Sequence, residues 1–236
     1  SGQIKQISEK EIDEQTEYID ALTPSLIGEP EESIDKLEKF LNDHPVSAVT
    51  HYQLARLYEA TDQKQAAISA IQKATNLKPE TEWYWIVQAE MMRKYNQWSL
   101  AAKAYERLTQ LRPDKSNYSI SLAHSYLQLG NTEDCLDVLE QLENKIGIQE
   151  EISLKRFQVF KAIQDWTAAE KELLRLAEAE PSNVNHLLKL ASFYRDREQE
   201  QLEKGTYEKI LRIDSSITQA RIQLSELSAA NGTQLL

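Results

Sequence analysis

The chain has 236 residues, one cysteine (Cys135), six glycines and six prolines, with a formal net charge of −11 and a mean hydropathy of −0.58. One cysteine excludes an intrachain disulfide and a cysteine-built zinc site. So few turn formers exclude an all-β fold, and no apolar run approaches the roughly 18 to 20 residues of a bilayer span. The charge is concentrated at one end: residues 1–36 hold ten acids against Lys5, Lys10 and Lys36, and the remainder is close to neutral. That leaves no basic surface for generic nucleic-acid binding, and the acidic end reads as a solvated face.

Taken from the N-terminus, Ser1-Gly2 reads as a tag-cleavage scar, which leaves room for a signal peptide or lipid anchor ahead of it. Residues 1–13 are expected to form a helical extension. Its apolar positions (Ile4, Ile7, Ile12, then Tyr18, Ile19 and Leu22) are expected to pack on the adjoining helices. Beyond it, Pro45, Pro79 and Pro113 stand 34 residues apart, Pro181 two periods further on, and Gly147 takes the skipped position. The period divides the chain into six frames, 14–47, 48–81, 82–115, 116–149, 150–183 and 184–217, with a C-terminal capping helix and tail at 218–236.

Equivalent positions carry equivalent residues. The eighth holds Ala21, Ala55, Ala89, Ala123, Phe157 and Ala191, and the twentieth holds Ser33, Ala67, Ala101, Cys135, Ala169 and Glu203. Large apolar side chains fill the twenty-fourth (Leu37, Ile71, Tyr105, Leu139, Leu173, Tyr207) and most of the twenty-seventh positions. Small residues let two helices of one frame approach closely, and large ones fill the groove to the next frame, so stability comes from stacking. A terminal proline stops the second helix because it lacks an amide donor.

Four irregularities are predicted. Asp20 and Pro24 should kink or shorten the first helix of frame 14–47. Asn144–Gly147 should make an atypical joint. Arg156-Phe157 should hold the helices of frame 150–183 further apart. Glu203 should cost stability unless its helix rotates it outward. In the last segment Ile222, Leu224 and Leu227 form the expected apolar side, and Arg221, Gln223 and Glu226 the polar one.

The pattern resembles the tetratricopeptide repeat (TPR) family over 14–217, most cleanly at 48–81 (Leu54-Ala55, Tyr58, Ala67, Ile71, Ala74, Pro79). The resemblance implies an all-α, right-handed superhelical solenoid of helix-turn-helix repeats. It also implies a concave face lined by the first helix of each repeat. On this chain that face would carry Tyr52, Gln53, Arg56, Trp83, Ile86, Glu90, Arg93, Lys94, Asn117, Ser121, His124, Lys155, Gln158 and Lys189. With Lys161 and Arg195 these give a mildly basic groove against Glu59, Glu90, Glu151 and Asp196, suited to an extended peptide with acidic groups. Tyr52, Arg56, Val87 and Ser121 occupy slots where some family members clamp a chaperone tail, and they do not reproduce that clamp.

Trp85 is expected to be structural, Trp98 and Trp166 to pack at the start of second helices, and His51 to fill a slot where the family often has Trp. Trp83 has two readings, a cover over the Pro79 loop or an anchor for a ligand. Shorter strings, Glu82-Trp83-Tyr84, Lys145-Ile146-Gly147-Ile148 and Glu150-Glu151-Ile152-Ser153-Leu154, are similar to bacterial envelope TPR lipoproteins, which would imply a periplasmic location.

The histidines (His44, His51, His124, His186) have no metal-ligand spacing, the glycines build no phosphate loop, and Cys135 falls in a packing slot. The expectation is therefore a non-enzymatic scaffold for a protein partner, without cofactor or metal. The alternatives are a self-associating module or the non-catalytic part of a larger protein.

Overall fold

In a computed structural model, residues 9–233 are described, with side chains from 11 to 229; Ile4 and Ile7 of the expected N-terminal extension lie outside them. The described residues form thirteen α-helices and no strand. The chain divides into two compact units at the turn between Leu129 and Gly130.

The first unit contains α1 (Glu9–Leu26), α2 (Pro30–Asp43), α3 (Ala48–Ala60), α4 (Lys64–Leu77), α5 (Glu82–Lys94), α6 (Trp98–Leu111) and α7 (Ser116–Leu129). The second contains α8 (Thr132–Ile146), α9 (Glu150–Ala162), α10 (Trp166–Ala179), α11 (Val184–Asp196), α12 (Glu200–Ile213) and α13 (Thr218–Thr233). From α3 onward the odd-numbered helices start at 34-residue intervals.

The small residues do what their spacing requires. Ala55, Ala89, Ala123 and Ala191 are buried in first helices, and Ala67, Ala101, Cys135 and Ala169 in second helices. Leu37, Ile71, Leu108, Leu139, Leu173 and Ile210 are fully enclosed. Each such side chain contributes roughly 1.5 to 3 kcal/mol on leaving water. In the second unit two clusters form, one around Leu173, Leu190 and Phe193 from α10 and α11, the other around Leu187, Tyr207, Ile210 and Ala220.

The turns inside the helix pairs share one device that residue type conceals. Gly28, Asp62, Asn96, Gly130, Gln164 and Glu198, each 34 residues after the last, all have a positive φ between 56° and 92°. This left-handed residue ends the first helix and turns the chain. Glycine and asparagine adopt it readily, but Gln164 and Glu198 do so against a side-chain clash.

Several expectations need correction. α1 is one helix of 18 residues with Asp20 and Pro24 inside it, so of the two expected outcomes, a kink or a shortening, the shortening does not occur. Pro24 sits in its last turn and offers no amide to the Asp20 carbonyl, and the Ser33 hydroxyl accepts the Ser25 amide at 2.8 Å. Ile12 and Ile19 do not pack inward, both being exposed, whereas Ala21 and Pro24 are buried, Leu22 is half-buried and the Tyr18 ring lies 5.8 Å from that of Phe40. In α13, Leu224 and Leu227 pack on the α11–α12 cluster while Ile222 faces outward.

Glu203 is not rotated outward. It is buried and accepts a hydrogen bond from Arg195 Nε at 2.8 Å, and Arg195 also reaches the Tyr207 hydroxyl. Arg156 donates to the buried Glu172 at 2.8 Å, with Phe157 packed edge-on against Phe193. At the joint lacking proline, α8 extends to 15 residues and ends on Gly147, whose φ is +81°.

Candidate functional site

In the first unit the odd-numbered helices stand side by side, and specific side chains tie each to the next. Tyr18 of α1 interacts with the Gln53 side chain of α3. Tyr52 of α3 lies 5.2 Å from Tyr84 of α5, ring centre to ring centre. Lys94 Nζ of α5 pairs with Glu59 of α3 at 2.8 Å. Glu82, at the start of α5, accepts from Lys115 (2.6 Å), the Tyr118 hydroxyl of α7 (2.6 Å) and Arg112 (3.0 Å). These three donors, Lys115 first, hold the Glu82 carboxyl down to about 2.

Between these ties lie the residues singled out from sequence. Tyr52, Gln53, Ile86 and Ser121 are half-buried along the row, whereas Arg56, Glu90, Arg93, Lys94 and Asn117 are exposed. His124 stands edge-on to Trp98 of α6 at 5.5 Å, which holds it against that helix.

The tryptophans separate clearly. Trp85 donates through Nε1 to the Pro79 carbonyl at 2.9 Å, and Arg107 donates to the same oxygen at 3.1 Å. Trp85 thus supplies the cover over the Pro79 loop that one reading gave to Trp83. His51, in the equivalent slot of α3, contacts the Pro45 carbonyl at 3.4 Å and is buried. Trp83, two residues before Trp85, remains 54% exposed.

Three of the cations expected from sequence are matched by carboxylates within their own units. Lys94 is matched by Glu59, and in the second unit Lys189 is matched by Glu150 at 3.3 Å and Arg195 by Glu203. Arg56 forms no ion pair among the described residues, and Arg93 only approaches the Tyr105 hydroxyl at 3.4 Å. The remaining sequence candidates belong to the second unit: Lys155 is half-buried on α9, near Cys135, and Gln158 is exposed on the same helix.

Sequence reasoning missed a second repeating tie. The hydroxyl of Tyr58 donates to Glu38, and that of Tyr126 to Glu106 at 2.7 Å, each glutamate 20 residues upstream. Tyr194 makes the same kind of bond to Glu170, 24 residues upstream, at 2.7 Å. A search for tyrosine paired with glutamate at that separation would have found the first two.

For chemistry the site offers little activation. The Cys135 thiol is buried, and burial pushes it up to about 11, so it is protonated near neutrality. No group of three or more potential metal ligands occurs among the described residues, and none of their helices is long and apolar enough to cross a membrane.

Comparison with known proteins bears on the family and the fold. Residues 48–81 match the model of the tetratricopeptide repeat family. No curated protein matches the sequence. Among solved structures, a chain of the Naa15/Naa10 structure bound to HypK-THB is similar with a TM-score of 0.75 and 17% identity. The match covers 92% of this chain but 34% of that one, so this chain spans about a third of its neighbour's length. A tetratricopeptide repeat protein from Parabacteroides merdae ATCC 43184 is similar with a TM-score of 0.53 and 12% identity, over 93% of this chain and 87% of that one. One repeat that matches the family model, set in a run of helices at the same 34-residue interval, gives the described residues the fold of an all-α helical-repeat array.

Proposed function

We propose that the protein is a non-catalytic scaffold that holds an extended peptide of a partner protein against the row formed by α3, α5 and α7. The observation that carries this is Trp83. It is a large aromatic left half in water on a helix whose other tryptophan is tied into the preceding loop. Tryptophan and arginine are among the residues enriched in interface hot spots. Arg56, with no carboxylate partner among the described residues, and Arg93 give the row two cations for acidic groups on the peptide. Tyr52, Gln53 and Asn117 add amide and aromatic contacts for its backbone. The neighbour seen in the Naa15/Naa10 structure bound to HypK-THB supports use of this fold inside protein complexes.

The test is affinity capture of the partner with the tagged chain, followed by calorimetry with the isolated partner. Trp83→Ala is expected to weaken binding by about 2 kcal/mol, and Arg93→Glu by about 1 to 2 kcal/mol. Unchanged affinity in both variants would refute the placement of the peptide on this row.

A further inference from the structure

The outward side of α1 carries a pattern that its core packing does not explain. Ile12, Thr16, Ile19, Thr23 and Leu26 follow one another at steps of four, three, four and three residues. That alternation puts all five on a single line along the helix, the seam used when one helix packs on another. The inner side of the same helix, Ala21 and Pro24, is buried. The seam faces water: Ile12 is 51%, Ile19 60% and Leu26 83% exposed.

The two threonines belong to the apolar seam in effect. Thr16 donates its hydroxyl to the Ile12 carbonyl at 2.8 Å, and Thr23 to the Ile19 carbonyl at 2.9 Å. With their donors satisfied by the helix itself, their outer surface is largely methyl. The seam is about 21 Å long at 1.5 Å per residue, enough for four turns of a second helix.

The flanks say what kind of helix fits. Asp13, Glu17 and Asp20 are exposed along one side, and from Glu11 to Leu26 the helix has no basic side chain. Glu17 lies 3.8 Å from His44, whereas Asp13 and Asp20 have no ion-pair partner among the described residues. A second copy of α1 would set Asp13 and Asp20 against the same acids, which opposes pairing like with like.

We propose that this seam docks an amphipathic helix of a partner protein with apolar residues on its inner line and lysine or arginine on its flanks. The surface is separate from the α3–α5–α7 row, and its occupant is a helix and not an extended peptide. Apolar contact along Ile12, Ile19 and Leu26 supplies affinity, and the carboxylates of Asp13 and Asp20 select the basic partner.

The probe is a labelled helix-forming peptide of about 18 residues with leucine on its seam and lysine on both flanks, long enough to span the site. The control probe replaces each lysine with glutamate. Fluorescence anisotropy should show one-to-one binding of the lysine peptide to the full chain, weakened by salt, and at least about tenfold weaker binding of the glutamate peptide.

Ile19→Asp, at an exposed position, should reduce lysine-peptide affinity at least about tenfold with the helical circular dichroism unchanged. Asp13→Lys combined with Asp20→Lys should reverse the preference to the glutamate peptide. Asp134→Lys combined with Asp137→Lys on α8 makes the same charge change elsewhere and should leave the preference as it was. Absence of binding, equal binding by the Ile19 variant, or no reversal on charge exchange would overturn the proposal. So would a dimer in light scattering that Ile19→Asp dissolves, since a second copy would then be the occupant.

Discussion

Replacing Glu172 with alanine removes the shared acceptor of two guanidinium groups. Glu172, on α10, is buried and accepts from Arg156 Nε of α9 at 2.8 Å and from an Arg175 terminal nitrogen at 2.7 Å. Arg175 is also held by both oxygens of Glu143 on α8, at 2.7 and 2.8 Å, and its own Nε is buried without a partner among the described residues. A hydrogen bond to a charged group contributes about 1.5 to 3 kcal/mol, and breaking a buried ion pair costs about 3 to 5 kcal/mol. Arg175 keeps Glu143 and both arginines reach some solvent, so the lower end applies. Glu172→Ala should cost about 3 kcal/mol, and Glu143→Ala, which leaves Arg175 on Glu172, about 1 to 2 kcal/mol. The double change Arg156→Met with Glu172→Leu should recover most of the loss, because it removes the stranded charge. Urea unfolding followed by Trp166 emission, with Trp83, Trp85 and Trp98 replaced by phenylalanine, reads the second unit separately. Equal costs for the two alanine variants, or a Glu172→Ala cost below about 0.5 kcal/mol, would refute the view that Glu172 is the hub.

Gln164→Gly and Glu198→Gly should each stabilise by about 0.5 to 1 kcal/mol by relieving a left-handed backbone, while Gly130→Ala should destabilise by about 1 kcal/mol; thermal melts check the sign. Cys135 should react with iodoacetamide at pH 8 only as fast as its surroundings open, and fully once the chain is unfolded, as mass spectrometry of timed samples would show. The Glu82 carboxyl is held below its unfolded value, so its contribution to stability is complete above the ordinary carboxylate range and is lost as pH falls toward about 2. The stability difference between the native chain and Glu82→Gln should therefore be constant above about pH 5 and shrink progressively below it, a trend visible in denaturation midpoints measured across pH.

The period itself was legible because it is written in residue size. Alanine at the eighth and twentieth positions and bulk at the twenty-fourth can be seen without any structure, and the helix starts follow the same interval. The turn device was legible only where it used glycine, at Gly28 and Gly130. At Gln164 and Glu198 the backbone conformation is imposed by the helices on either side, and the residue type gives no sign of it. The site was partly legible for the same kind of reason. Position within a repeat placed Trp83 at the surface of α5, but it could not show that Lys94, Lys189 and Arg195 are matched by Glu59, Glu150 and Glu203. Those partners lie on neighbouring helices, at separations of 8 to 39 residues that no local pattern marks.

The two apparent defects of the second unit, Arg156 and Glu203, have one physical explanation. Glu203 stands in a small-residue slot and Arg156 in a slot that holds leucine at Leu54, Leu122 and Leu190; a charge at either would be costly alone, so each is met from an adjacent helix by an opposite charge: Arg156 by Glu172, Glu203 by Arg195. In the first unit the slot of Glu203 holds Ala67 and Ala101, and that of Arg156 holds Leu54, Gln88 and Leu122, all buried. An alanine contact tolerates any neighbouring pair that is small enough, whereas an ion pair requires a particular partner at a particular place. The pairs in the second unit therefore specify which helix lies beside which, at a cost in stability that alanine would avoid. Replacing Arg195 and Glu203 together by Leu and Ala should therefore raise the unfolding midpoint of the second unit, while exchanging the two charges between positions should give less than the native stability, because the Tyr207 hydroxyl that Arg195 reaches would be left behind.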